Sequence, residues 1–157
     1  MAAREHLLKM KRTAFLLAAL LLLAACGRQE AAEPTESTPP TEETEMILRI
    51  DGTVVPVTWE ENESAQALLA LAPLTIEMSM YGGFEQVGPI GTSLPRSDRQ
   101  TATAPGDLVL YAGNQLVVFY GTNQWAYTQL GHVDLTRVEL EALLADHDVR
   151  ITLEAKK

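Results

Sequence analysis

Alternation of apolar and polar residues begins at Met46. Met46-Ile-Leu-Arg-Ile-Asp51 and Thr53 to Trp59 both read as half-buried strands. Asp51-Gly52 between them is a hairpin signal, because the turn needs positive φ. Asn62 or Ser64 caps a helix whose Ala65, Leu68, Leu69 and Leu71 share one face, and Pro73 stops it. Leu74 to Met80 alternates again, with Leu74, Ile76, Met78 and Met80 on one side. Gly82-Gly83, Gly88-Pro89, Gly91 and Pro95 then break the chain into loop, and Thr101 to Pro105 reads as a second loop.

Asp107 to Tyr111 and Gln115 to Tyr120 flank Gly113-Asn114 as a second hairpin. Both runs are almost wholly apolar, as expected of strands covered on two faces. Tyr127 to Val133 adds a strand. Thr136 with Glu139 has capping-box spacing, and Val138, Leu140, Leu143 and Leu144 form the inner face of the helix it opens. Val149 to Leu153 is the closing strand. The pattern predicts seven or eight short strands and two helices: a mostly β fold, its sheet closed or nearly so, with helical caps.

Upstream of Met46 the pattern changes twice. Arg4, Lys9, Lys11 and Arg12 precede an apolar run from Ala14 to Leu23, which ends in Leu23-Ala-Ala-Cys26. The run is about ten residues, and a bilayer span needs about 20. A basic start, a short apolar core and small residues before a break describe a secretory signal over residues 1–25. The ending resembles the lipobox of bacterial lipoproteins. That resemblance implies cleavage before Cys26 and a diacylglyceryl thioether on its sulfur, an anchor of two or more acyl chains as stable attachment requires. From Gly27 to Glu45 the chain is Ala, Glu, Pro, Thr, Ser and Gln without aromatic or branched aliphatic residues. The expectation for residues 26–45 is a lipidated cysteine followed by a disordered acidic spacer, spanning about 25 Å as a coil. Residues 46–157 make one domain.

Charge narrows the partners. The formal net charge is −9, and removing four basic residues and Glu5 with the signal takes it to −12. This argues against nucleic acid and against docking on anionic lipid through the domain surface. Membrane lipid is therefore expected as a partner through acylated Cys26 alone, with the domain at the extracytoplasmic face of the cell membrane.

Several ordered blocks carry a second resemblance. They are Ala-Pro-Leu-Thr-Ile-Glu-Met at 72–78, Ser-Leu-Pro at 93–95, Pro-Gly-Asp-Leu-Val-Leu-Tyr at 105–111, Gly-Asn-Gln-Leu-Val-Val-Phe-Tyr-Gly at 113–121 and Leu-Gly-His-Val at 130–133. Together they resemble the small bacterial cyclophilin-like family over Met46 to Glu154. The resemblance implies a cyclophilin-like eight-stranded β-barrel capped by two helices, with no established activity. True cyclophilins carry a Phe-x-Arg whose arginine polarises the substrate amide. Here the matching strand reads Leu74-Thr-Ile-Glu-Met-Ser-Met80, without arginine. Arg96 and Arg99 fall in the next loop. The departure argues against prolyl isomerisation and leaves a divergent isomerase or another envelope enzyme as the alternative to a non-catalytic binding module.

Met78, Met80, Tyr81, Phe84, Trp125 and Tyr127 are the candidate lining of one groove. Aromatic rings with polar tips beside adaptable methionines suit a peptide or small-molecule ligand. The plain alternative for each is barrel core or rim. Glu77 and Glu85 are a weaker candidate as an acid pair for glycoside chemistry. His132 and His147 lack metal-ligand spacing, and His147 near a helix end complements the dipole. Ser93 is not in a nucleophile elbow, and no phosphate-cradling loop is present in the sequence. No cofactor and no metal are expected.

The reading of Cys26 is checked by mass spectrometry on protein from its native host. The expected species starts at an acylated Cys26, and Cys26→Ser moves the protein to the soluble fraction. An intact, unacylated N-terminus overturns it.

Overall fold

The computed structural model describes residues 45–156, so the expected signal and all but the last residue of the expected spacer lie outside the described residues. Met46–Ile50 (β1) and Thr53–Val55 (β2) form the first hairpin, with Asp51 at φ 46° and Gly52 at φ 83° supplying its turn. The Thr53–Trp59 run is not one strand. Pro56 interrupts it, and Val57–Trp59 (β3) pairs elsewhere. Glu63–Leu69 (α1) is capped by Asn62, whose Oδ1 accepts from the Ala65 N–H at 2.9 Å.

The alternating run after Pro73 is likewise divided, into Leu74–Glu77 (β4) and Ser79–Tyr81 (β5). Glu85–Pro89 (β6) and Arg99–Ala102 (β7) follow, and β6 is a strand where the glycines and prolines predicted loop. Asp107–Tyr111 (β8) and Gln115–Phe119 (β9) form the second hairpin, with Ala112 and Gly113 at positive φ. Gln124–Val133 (β10) starts three residues earlier than the sequence pattern indicates. Arg137–Leu144 (α2) opens with the complete Thr136–Glu139 capping box, and Arg150–Ala155 (β11) ends the fold.

The described residues are mostly β, in two sheets. One has the order β2-β1-β11-β4; the other runs β3-β10-β8-β9-β6-β5, with β7 paired to β10. Neither ladder closes on itself, so the expected eight-stranded barrel is replaced by eleven strands in two open sheets. The division at Met78 shows why. Its N–H donates to Val149 O at 2.8 Å and its side chain is buried in the main core. β4 therefore stays with β11, and β5 leaves to pair with β6.

The main core collects Leu48, Ile50, Leu68, Leu110, Leu140 and Ile151 with their neighbours. β8 and β9 contribute to it through Leu108, Leu110, Leu116 and Val118. Their intervening residues, Val109, Val117 and Phe119, are just as buried but belong to a separate cluster with Tyr127 on the opposite face. This is the two-sided burial expected of these runs. Among the described residues no helix is long and apolar enough to cross a membrane.

β6 passes very close to the β4–β5 junction. A Cβ on Gly88 would lie 2.6 Å from Glu77 O and 2.7 Å from Ile76 Cγ2. Gly88→Ala is therefore expected to destabilise the domain by about 1–3 kcal/mol, measured as a lower urea midpoint. An unchanged midpoint would show that this approach is not tight.

Candidate functional site

The second, smaller apolar cluster is only partly roofed, and a cavity of about 380 Å³ opens above it. β5 contributes Tyr81 to its wall, β6 contributes Glu85 and Val87, β8 contributes Tyr111, and β9 contributes Val117. Trp125 and Tyr127 come from β10, and Asn123 from the turn before it. The volume falls in the usual small-ligand range of roughly 300–1,000 Å³. Tyr81, Tyr111 and Trp125 are three of the six exposed large apolar side chains among the described residues, so the exposed aromatic surface is gathered at this rim.

The walls are held in place by packing. Tyr127 meets Phe119 edge to face at 5.6 Å and Tyr111 at 6.0 Å, and Phe84 stacks on Phe119 at 6.5 Å between ring centres. The Tyr127 hydroxyl accepts from Asn123 Nδ2 at 2.9 Å. Asn123 is itself fixed: its backbone N–H donates to Thr103 Oγ1, and its Oδ1 accepts from the Gln124 N–H. Gly82 and Gly83, both at positive φ, turn β5 into β6 so that Tyr81 and Glu85 face one another across the pair.

Glu85 is the unusual member. It is 6% exposed, and among the described residues no hydrogen bond reaches its Oε2. Among the described residues no Lys or Arg lines the cavity. Burial pushes its carboxyl up from the ordinary 4.5 to about 7. Burial, and secondarily the Glu85 charge, also push the hydroxyls of Tyr120 and Tyr127 up. The next residue, Gln86, is equally buried but faces the other way. Its Nε2 donates to Leu144 O and His147 O, both at 2.7 Å, tying β6 to the end of α2. Gln86 thus ties β6 to the core through its Nε2, while its Oε1, like Glu85 Oε2, has no partner among the described residues.

The structure sorts the sequence candidates. Tyr81, Trp125 and Tyr127 share the cavity, and Phe84 packs against the cluster beneath it. Met78 is not in the groove but in the main core, and Met80 is exposed outside the lining. The cause is the break at residue 78, which turns the two methionines onto different surfaces. Tyr111 and Asn123 were not among the candidates. Tyr111 belongs to an apolar run that read as core, and Asn123 to a turn whose aim only the fold determines.

Glu77 and Glu85 do not form an acid pair. Glu77 is exposed on β4 and its Oε1 accepts from Arg150 Nε at 2.6 Å. His147 Nε2 lies 2.9 Å from Asp51 Oδ2, in the first turn, rather than serving the helix end. The Arg150 N–H on Asp51 Oδ1 holds that carboxyl below its usual range, against the opposing effect of burial. His132 Nδ1 lies 3.0 Å from Asp107 Oδ1. Arg96 pairs with Asp98, and Arg99 borders a separate polar cleft. Among the described residues no group of three His, Cys, Asp or Glu is placed to hold a metal ion.

The profile of the family described as "Cyclophilin-like family" matches residues 48–154. No curated protein matches the chain. A solved structure, that of McbB in complex with tryptophan, is similar with a TM-score of 0.51 and 14% sequence identity. The similarity covers 71% of this chain and 45% of McbB, so the chain spans less than half of that neighbour. At this identity the likeness is one of fold.

The isolation of Glu85 has a measurable consequence. The unfolded chain loses this proton near 4.5 and the folded chain near 7. Between those values the folded state binds more protons, so its stability falls as pH rises and levels off above about 7. Glu85→Gln is expected to flatten that descent, followed as the urea midpoint from pH 4 to pH 8. An equal slope in the variant, or a carboxyl carbon of Glu85 titrating by NMR near its ordinary value, contradicts the assignment.

Proposed function

The chain belongs to the cyclophilin-like family, and from that footing we propose that it is an envelope-tethered binding protein that takes a small ligand into the cavity bounded by Tyr81, Trp125 and Glu85. The observation that carries the reading is a buried carboxyl, its Oε2 without a hydrogen-bond partner among the described residues, in an aromatic-walled cavity of ligand size. The large majority of buried side-chain polar atoms are hydrogen-bonded, so a bare carboxyl oxygen at a cavity wall favours a ligand that donates to it. The aromatic residues that stay exposed, rather than turning inward, sit at its mouth. Acylated Cys26 and the acidic spacer supply the tether in this proposal, holding the domain on the outer side of the cell membrane. The domain's arginines provide no counterpart to the cyclophilin catalytic arginine on β4, which favours binding over prolyl isomerisation.

A second reading rests on the same carboxyl. A group that is half protonated near neutral pH meets the requirement for general acid–base work. It keeps an envelope enzyme as the alternative, with Glu85 rather than Glu77 as the acid or base.

The binding reading is tested by saturation-transfer NMR of the full chain against a panel of small aromatic compounds, tryptophan among them. Binders are expected whose affinity falls about 10-fold or more in Trp125→Ala and in Tyr81→Ala, the loss typical of a buried aromatic contact. Binders unaffected by both changes would place the ligand elsewhere. A proline-isomerisation assay on the same protein is expected to show no turnover, and turnover abolished by Glu85→Gln would decide for the enzyme.

A further inference from the structure

Resting on the cavity reading above, we propose that the ligand is a cation, a protonated primary or secondary amine on an aromatic or branched apolar body, with its N–H donating to the Glu85 carboxylate. Three observations converge on this. First, Glu85 Oε2 is buried, and among the described residues nothing donates to it. A buried acceptor without a donor costs free energy that a ligand N–H removes. A quaternary ammonium has no N–H and leaves that cost in place.

Second, among the described residues the cavity carries one acidic side chain and no basic one. The other titratable groups near Glu85 are phenols: Tyr81 from β5, Tyr111 from β8, Tyr127 from β10 and Tyr120 just after β9. A ligand carboxylate or phosphate finds no counter-charge there and would be repelled by Glu85. Third, aromatic rings come from three strands around the carboxyl, Tyr81, Tyr111, Trp125 and Tyr127. Ring faces attract cations and also pack the apolar body. Carboxylate and ring faces together favour an ammonium group more than either does alone.

Glu85 also couples binding to protons. An ammonium beside it favours the charged carboxylate. Amine uptake near pH 7 therefore expels the fraction of protons that Glu85 holds in the empty cavity. The amine keeps its own proton, and no bond other than hydrogen bonds forms.

The experiment compares 2-phenylethylamine with 2-phenylethanol, which has the same body without charge. Both are titrated into the full chain at pH 7, with the Trp125 indole N–H followed by NMR and heat followed in two buffers of different ionisation enthalpy. The amine is expected to bind about 10-fold or more tightly than the alcohol, with net proton release, and Glu85→Gln should remove both the preference and the release. Equal affinities, or an amine preference that survives Glu85→Gln, overturn the inference. In that outcome, loss of both probes in Trp125→Ala leaves the cavity reading standing. If neither probe perturbs Trp125, the amine inference falls. Other binders from the aromatic panel that depend on Trp125 would then uphold the cavity alone.

Discussion

Everything about the site follows from one constraint: the β8–β9 hairpin is apolar on both faces. A sheet with a single apolar face is satisfied by one layer of helices or by a second sheet. Here Leu108, Leu110, Leu116 and Val118 claim that layer, while Val109, Val117 and Phe119 need a cover of their own. The second cover is thin. Tyr127 lies edge-on over Phe119, Phe84 stacks beside it, and beyond them only side chains from β5, the end of β8 and the start of β10 reach across. The cavity is the part of that face which the described residues leave uncovered.

β6 then decides what the uncovered face contains. Its period of two sends Glu85 and Val87 to the cavity and Gln86 and Gly88 to the core. A slip of one residue would exchange them, burying a carboxylate under α2 and pressing Val87 into the space only Gly88 fits. Gln86 and Gly88 therefore do more than pack. The two carbonyls that receive the Gln86 amide and the close approach at Gly88 fix the register, and the register is what aims Glu85.

Much of this was legible in the sequence. Asp51-Gly52, the Asn62 cap, the Thr136–Glu139 box and the two-faced runs at 107–111 and 115–119 all carry local signals, and the elements appear where those signals fall. Tyr81, Trp125 and Tyr127 could be grouped from residue type alone, because aromatics near turns suggest a rim. β6 could not be read. Gly88-Pro89 is punctuation by every local rule, and the reason for Gly88 lies in Ile76 and Glu77 on a strand that is not its ladder partner. Met78 misled for a related cause: alternation through Leu74–Met80 continues in sequence while the backbone changes sheets. Long-range packing overrides both local patterns. A domain closed by register between distant strands hides its site most where it hides its strands.

The acidity of the domain connects the site to its surroundings. From Met46 onward the chain carries seven basic and fourteen acidic side chains. That excess draws cations toward the surface and raises their local concentration near an exposed mouth. Inside the cavity Glu85 is the one acidic side chain among the described lining residues. The two effects differ in reach. Salt screens the field around exposed charges over about 8 Å at physiological ionic strength, whereas a largely buried carboxyl is shielded far less. Added salt should therefore slow capture of a cation much more than it alters the grip of Glu85 once the cation is inside. In the proposed binding of an amine, attraction at the surface and selection in the cavity are separate physical steps that share one sign of charge.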